Sequence, residues 1–146
     1  MDEKLEYFSG DVIVSRLKKI PHPKGMIYHA MKMSDTTYEG FGEAYFSQII
    51  KNETKGWKKH TQMVLNLVVP VGDVTLYIYD EITRKTITIS VGTENYHRVT
   101  VKPHYWVAFR GQGEGLNLIL NIASLEHDPD EAINVPLESF PLTNAR

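Results

Sequence analysis

The amino-acid sequence predicts an all-β domain folded as a jelly-roll β-barrel, and three observations lead to that prediction. About ten short runs are rich in Val, Ile, Thr, Tyr and Phe, which favour a pleated, half-buried surface. Turn segments containing Gly, Pro, Asn or Asp separate these runs. No amphipathic helix of three turns is evident. An immunoglobulin-like sandwich is the alternative, but ten strands are too many for its simplest form.

The predicted strands follow one another along most of the chain. They are Val12–Arg16, Met26–Met33, Glu43–Ile50, Lys55–His60, Met63–Val69, Val74–Tyr79, Thr86–Val91, Arg98–Val101, Tyr105–Phe109 and Leu116–Ile122. In the last of these, the even-numbered residues form a continuous apolar face, which is predicted to lie on the core. The best candidate for a short helix is Asp128–Ala132, with Asp128 as N-cap and Pro129 at the first helical position.

Composition excludes several classes of protein. The 146 residues are the length of one domain, so residues 1–146 are predicted to form a single unit. With 16 basic and 18 acidic residues, the net charge of −2 argues against a nucleic-acid or membrane-surface footprint. The absence of cysteine excludes a disulfide framework and a thiol nucleophile. The N-terminal segment MDEKLEYFSG lacks the pattern of a signal peptide, so a cytoplasmic location is expected.

The segment KGWKKH at Lys55–His60 carries the most informative chemistry. In an extended strand, Gly56, Lys58 and His60 share one face. If that face points into the barrel, Lys58 and His60 enter the cavity together. Repulsion between like charges and loss of hydration would then favour a neutral imidazole, which suits a general base, and the pair could also hold a diphosphate. The alternative is a solvated basic edge strand whose lysines guard against aggregation.

The sequence contains residues that bear on two further kinds of site, an aromatic stacking site and a metal site. Tyr45, Tyr77 and Tyr105 have aromatic faces with a polar tip, which suit stacking on a base or sugar, although ordinary core packing is the alternative. A β-barrel metal site would need two histidines one residue apart, an acid and a third histidine. Only His60 fits, because Lys58 occupies the partner position and a protonated lysine is not a ligand. No metal site is therefore predicted.

Several linked segments resemble the RmlC-like cupins, which include the dTDP-4-dehydrorhamnose 3,5-epimerases and the dTDP-sugar 3,4-ketoisomerases. The resemblance covers residues 24–142. The segments are GFGEAYFSQI (Gly40–Ile49), KGWKKH (Lys55–His60), LNLVVPVGDVTLYIYD (Leu65–Asp80), NYHRVTVKPHYWVAFRG (Asn95–Gly111) and NIASLEHDPDE (Asn121–Glu131). It implies a homodimeric cupin jelly-roll β-barrel (a double-stranded β-helix) whose cavity binds a nucleotide-diphospho sugar. In the epimerases a histidine removes a proton beside the 4-keto group and a tyrosine returns one, with no cofactor.

Motif positions match this family only in part. The epimerase motif Arg-Gly-x-His-x-Gln places Lys55 at the arginine and Lys58 at the histidine. The ketoisomerase pattern has a second histidine two residues later, and His60 stands there. Tyr45 matches a tyrosine of the ketoisomerase-like members, whereas the tyrosine acid of the epimerases falls about where Asn121 stands.

The sequence, taken with this resemblance, predicts an epimerase or isomerase of nucleotide-linked 4-keto-6-deoxyhexoses that works through an enolate. His60 is the predicted base, Lys58 the oxyanion stabiliser and Tyr45 the acid. The predicted substrate-binding residues are Lys55, Asn121, Tyr77 and Tyr105. A non-catalytic sugar-nucleotide-binding cupin is the alternative, with a structural role and a metal-dependent cupin as further possibilities. The nucleotide, the sugar and the choice between epimerase and ketoisomerase stay open.

A homodimer is also predicted from the resemblance. The N-terminal strands Val12–Arg16 and Met26–Met33 are expected to pair or exchange across its two-fold axis. No nucleic-acid or membrane partner is expected.

Overall fold

In a computed structural model, which describes residues 4–144, the chain folds into two antiparallel sheets that pack face to face. Their strands are β1 (Lys4–Tyr7), β2 (Val12–Arg16), β3 (Lys19–Ile20), β4 (Ile27–Tyr28), β5 (Glu43–Gln48), β6 (Thr54–His60), β7 (Leu65–Val71), β8 (Asp73–Asp80), β9 (Lys85–Gly92), β10 (His97–Val101), β11 (Trp106–Gly111), β12 (Leu118–Ala123) and β13 (Ala132–Asn134). The larger sheet has the order β1-β2-β10-β7-β12-β5, and the smaller has β13-β6-β11-β8-β9. A separate ribbon pairs β3 with β4. The predicted jelly-roll architecture is confirmed.

Each of the ten predicted strands overlaps an observed strand, although Met26–Met33 shrinks to the two residues of β4. The three strands that were not predicted are β1, β3 and β13. Two of them are sheet edges and the third belongs to the ribbon. Strands this short show little alternation in sequence, because pairing with a neighbour rather than burial of one face holds them.

The helix predicted at Asp128–Ala132 is wrong. The Asp128 side chain accepts a hydrogen bond from the Asp130 N–H at 2.9 Å, and the Asp128 carbonyl accepts one from the Glu131 N–H at 3.1 Å. Asp128 therefore caps a single turn, after which the chain enters β13 and pairs with β6. Across residues 4–144, no helix is long and apolar enough to cross a membrane.

Strand β12 buries the face opposite to the one predicted. Asn117, just before the strand, is fully buried, and so is Ala123, with Ile119 and Asn121 each only 3% exposed between them. The apolar residues Leu118, Leu120 and Ile122 instead lie half-buried on the outer face of the larger sheet. The asparagines can face inward because their amides bond to buried backbone groups, as shown below.

The main core lies between the two sheets and includes Leu67, Leu76 and Ile119, and a separate apolar cluster covers the outer face of the smaller sheet. Its buried members are Trp57, Tyr79, Trp106 and Ala108, and the C-terminal strap, residues 135–142, packs over them. Trp57 and Val135 exchange backbone hydrogen bonds at 3.1 Å, and the Trp57 indole donates to the Leu137 carbonyl at 2.9 Å. Phe140 stacks on Tyr79 with ring centroids 4.4 Å apart. The strap thereby fixes β13 against β6.

Phe140→Ala is expected to lower the free energy of unfolding by about 2 kcal/mol, because it removes the ring that joins the strap to three aromatic side chains. Urea unfolding followed by tryptophan fluorescence measures this loss. Ile82→Ala is the control, because Ile82 is 92% exposed, and its effect should stay within about 0.5 kcal/mol. Equal effects of the two substitutions would show that the strap adds nothing to stability.

Candidate active site

A cavity of about 260 Å³ lies between the two sheets. Apolar side chains form one part of its wall and polar groups the rest. The lining residues are Tyr45, Ser47, Ile49, Lys55, Gly56, Lys58, His60, Leu65, Leu67, Val107, Phe109, Ile119, Asn121 and Asn134. A small number of polar groups in an apolar pocket is typical of a ligand site, because the polar groups orient what the apolar surface binds.

Strand β6 brings Lys58 and His60 into this cavity together, as the alternation of the segment predicts. Trp57 lies between Gly56 and Lys58 in the sequence. Its side chain is fully buried in the aromatic cluster on the opposite side of the sheet. A side chain at Gly56 would place its Cβ 2.5 Å from the Cβ of Ala108 on β11, so the close approach of these strands requires glycine. The packing of Trp57 outward thus orients Lys58 and His60 inward.

His60 forms a dyad with a buried carboxylate. Its Nδ1 lies 2.7 Å from Oε1 of Glu131, whose side chain is 3% exposed. The second carboxylate oxygen, Oε2, accepts hydrogen bonds from the N–H groups of Gln62 at 3.0 Å and Met63 at 2.9 Å. Glu131 is therefore held rigidly, and it fixes the imidazole with Nδ1 toward the carboxylate and Nε2 toward the cavity. This is the orienting arrangement of a catalytic histidine.

The environment of Glu131 keeps it ionised. Burial acts to raise the pKa of this carboxyl group, but hydrogen bonds from His60 and from the N–H groups of Met63 and Gln62 outweigh burial and hold the pKa below its ordinary value of 4.5. A carboxylate beside the imidazole stabilises the positive charge that the ring acquires when it accepts a proton. Such a pair is chemically suited to taking a proton from a ligand in the cavity.

The lowered pKa of Glu131 links this site to acid stability. Because the folded pKa lies below the unfolded one, the ionised carboxylate stabilises the fold above about pH 4.5 and this contribution is lost as the pH falls through the folded pKa. We expect the difference in melting temperature between the wild type and Glu131→Gln to shrink between pH 7 and pH 3. Thermal unfolding followed by circular dichroism measures it, and a difference that does not change with pH would contradict the assignment.

Lys58 and Lys55 make the cavity cationic. Lys58 is half-buried, and within residues 4–144 its ammonium has no hydrogen-bond or ion-pair partner. Lys55 is exposed, and its Nζ donates to the Gln48 carbonyl at 2.6 Å. No described Asp or Glu is among the lining residues. An unpaired ammonium in such surroundings favours an anionic ligand or a developing negative charge.

Tyr45 and Asn121 face the cavity from the larger sheet, where they are directly paired across β5 and β12. The Asn121 amide donates to the Tyr45 hydroxyl at 3.1 Å. Tyr45 is 41% exposed and Asn121 is 3% exposed. The two residues assigned separately as acid and as substrate-binding group therefore form one unit, opposite the wall that carries Lys58 and His60.

Two of the sequence-predicted residues do not line the cavity. Tyr77 packs against the aromatic cluster on the outer side of the smaller sheet. Tyr105 donates its hydroxyl proton to Asp11 at 2.7 Å and stacks on Phe8 with centroids 5.2 Å apart. The structure thus brings together His60, Lys58, Lys55, Tyr45 and Asn121 and leaves these two tyrosines outside.

Sequence reasoning missed Glu131, Asn134 and Ser47 as cavity or dyad residues. Glu131 is 71 positions from His60, and the register that pairs Ala132 with His60 is not visible in the sequence. A partial signal exists, because the acidic segment ending at Glu131 is part of the resemblance to the cupins. Among the described residues, no group of three or more His, Asp or Glu side chains is arranged to hold a metal ion.

No protein-family model matches the sequence, and neither does any curated protein. Solved structures do match. A dTDP sugar isomerase from Desulfovibrio desulfuricans G20 is 26% identical, with 92% of each chain covered and a TM-score of 0.84. NovW, a 4-keto-6-deoxy sugar epimerase from Streptomyces spheroides, is 10% identical over 98% of this chain and 77% of its own, with a TM-score of 0.85.

A third matching structure is RmlC, a dTDP-6-deoxy-D-glucose-3,5-epimerase from Legionella pneumophila in complex with dTDP-4-keto-L-rhamnose. It is 12% identical over 94% of this chain and 79% of its own, with a TM-score of 0.80. At 10–12% identity the two epimerases establish a common fold.

Proposed function

We propose, from the premise that the chain is an RmlC-like cupin, that it is an epimerase or isomerase of a nucleotide-linked 4-keto-6-deoxy sugar. The observation that carries the proposal is the His60–Glu131 dyad, which opens into a cationic cavity opposite Tyr45. The substrate class is inferred from the similar structures, which are enzymes of dTDP-linked or 4-keto-6-deoxy sugars. Catalysis is inferred from the residues of this chain.

Proton removal is the first step. A keto group acidifies the hydrogens on the neighbouring carbons, because the carbanion delocalises onto the carbonyl oxygen. Nε2 of His60 takes the proton, the C–H electron pair moves into the new C=C bond, and the carbonyl oxygen becomes an enolate. Glu131 stabilises the imidazolium, and the Lys58 ammonium stabilises the enolate oxygen.

Proton return is the second step. Tyr45 lies on the larger sheet and His60 on the smaller one, so the two side chains approach a bound sugar from opposite walls. Donation of the phenol proton to carbon on the face opposite His60 inverts that carbon. Alternatively, the phenol proton is added to the former carbonyl carbon while the hydroxyl group on the neighbouring carbon loses its proton. The keto group then moves to that neighbouring carbon. Solvent reprotonates the partly exposed Tyr45 and removes the proton from His60.

Deuterium uptake in heavy water tests this function. The protein is incubated with dTDP-4-keto-6-deoxyglucose, and C3, C4 and C5 are followed by NMR. We expect deuterium at one of these carbons at a rate well above buffer, together with a new isomer. If no exchange above buffer occurs with the dTDP, GDP or UDP sugar, the chain is not an enolising enzyme of this class.

The alternative is a sugar-nucleotide-binding cupin without activity. Lys55, exposed at the cavity, is the proposed contact for the diphosphate in either case. A binding module gains nothing from a buried carboxylate that orients a histidine, so the dyad favours catalysis. Calorimetry combined with product analysis by NMR separates the two, because a binding module would bind tightly without turnover, and His60→Ala would not alter the chemical fate of the bound sugar.

A homodimer belongs to the same proposal. Within one chain both edges of Val12–Arg16 are paired, by β1 and β10, so its contact with a second copy would have to come from strand exchange, which stays a prediction. The outer apolar face of β5 and β12 is a further candidate surface, since Phe46 is 62% exposed opposite Leu120. The ribbon of β3 and β4 also exposes Ile20, Ile27 and Tyr28.

A cytoplasmic location also belongs to the proposal, because a charged nucleotide sugar does not cross a membrane unaided.

The double substitution Phe46→Asp with Leu120→Asp is expected to convert the dimer into a monomer, because it places charge on the apolar face. Light scattering gives the mass directly: twice 16.7 kDa for the wild type and 16.7 kDa for the variant. Substitution of exposed Ile82 by Asp is the control and should leave the dimer intact. A wild-type protein that scatters as a monomer would contradict the proposal.

A further inference from the structure

Asn121 has a fixed orientation in the cavity wall. It is 3% exposed, and its Oδ1 accepts a hydrogen bond from the backbone N–H of Asn66 on β7 at 3.3 Å. A backbone N–H can only donate, so the amide oxygen must face Asn66. The amide nitrogen is consequently turned toward Tyr45, whose hydroxyl oxygen lies 3.1 Å away.

This orientation determines where the Tyr45 proton points. A phenol oxygen can accept one hydrogen bond and donate another, and here it accepts from Asn121. The phenol proton is therefore directed away from Asn121. Within residues 4–144, no protein group accepts that proton, and Tyr45 lines the cavity. The proton is thus available to a ligand rather than to the protein.

We infer that Asn121 is the positioning residue for proton return: it directs the Tyr45 proton into the cavity and stabilises the phenolate that remains after donation. The inference rests on the proposed function and assigns Asn121 a role other than binding the substrate. A hydrogen bond donated to the phenol oxygen strengthens as negative charge develops there, so it favours the step in which Tyr45 gives up its proton.

Asn121→Asp isolates this donor. The carboxylate is nearly the same shape and still accepts from the Asn66 N–H, but it has no N–H to donate to Tyr45 and accepts the phenol proton instead. Asn121→Ser is the second variant, since a short hydroxyl can serve Asn66 without reaching Tyr45. Asn117→Asp is the matched control, because Asn117 is a fully buried amide bonded to Asp73, Gly113 and Ile49 and not to Tyr45.

The readout is the ratio of solvent exchange into the substrate to net formation of product, both measured by NMR in heavy water. Exchange into the substrate needs only His60, whereas product formation also needs Tyr45. Asn121→Asp and Asn121→Ser are expected to reduce product formation about tenfold or more while exchange stays within about twofold, as Tyr45→Phe should. Asn117→Asp should leave the ratio unchanged.

Three results would overturn the inference: equal loss of exchange and product in both Asn121 variants, an unchanged ratio in both, or the same change of ratio in Asn117→Asp. Each is distinct from failure of the proposed function, in which the wild type itself shows no exchange. If Asn121→Asp does not fold, as judged by circular dichroism, Asn121→Ser decides.

Discussion

Replacing His60 with asparagine is expected to reduce deuterium exchange at the sugar carbon by about a thousandfold, because general-base catalysis by a positioned side chain contributes about 10²–10⁴. Asparagine retains a polar group beside Glu131 but has no basic nitrogen. Binding of the nucleotide sugar should change little, since Lys55 and Lys58 remain. Exchange is measured by NMR and binding by calorimetry on the same protein.

His104→Asn is the matched control for this substitution. His104 is exposed, lies outside the cavity lining and has a φ of +83°, a conformation that asparagine tolerates better than most residues. Its exchange rate should stay within about twofold of the wild type. If His60→Asn exchanges as fast as His104→Asn, His60 is not the base.

Glu131→Gln is expected to lower the same rate by about a hundredfold or more. The two backbone N–H groups that face Oε2 require an acceptor, so the new amide oxygen turns toward Gln62 and Met63. The amide nitrogen then faces Nδ1 of His60 and donates to it. That bond forces the imidazole proton onto Nε2, the nitrogen that must be free to accept a proton, as when the aspartate of a serine-protease triad becomes asparagine.

The pH dependence distinguishes this explanation from simple loss of structure. A wrong tautomer lowers the rate at every pH where the wild type is active, whereas acid unfolding lowers it only at low pH. Glu138→Gln, on the exposed surface of the strap, is the control and should behave as the wild type. A Glu131→Gln protein that is folded and fully active at neutral pH would show that the dyad has no catalytic role.

Local alternation accounts for what could be predicted from the sequence. It placed Lys58 and His60 on one face of β6, because successive side chains of a regular strand point to opposite faces. Lys55 lines the cavity as well, which alternation does not predict, since the pairing of β6 with β11 is irregular between Lys55 and Lys58. The same pattern failed at β12, since it shows that one face is apolar but not which face is inside. There the two asparagines face inward: Asn117 accepts from the Asp73 N–H at 3.0 Å and donates to the Ile49 carbonyl at 3.1 Å.

Contacts between distant segments account for what could not be predicted. Glu131 lies beside His60 because β13 pairs with the edge of β6, where Phe140 of the strap packs against Trp57. Tyr45 meets Asn121 only through the register of β5 and β12. The family resemblance indicated Tyr45 and Asn121 as two separate site positions. Only the structure shows that they are paired, and this pairing is the basis for proposing that both act in one proton transfer.

A structure of the protein with a bound dTDP-4-keto-6-deoxy sugar, or an unreactive analogue, tests the central claim most directly. We expect the carbon next to the keto group within about 3.5 Å of His60 Nε2, and the keto oxygen within hydrogen-bond distance of Lys58. Tyr45 should approach the sugar from the opposite face. A sugar ring bound outside the cavity, or one whose acidic carbon faces Tyr45 and is remote from His60, would contradict the account.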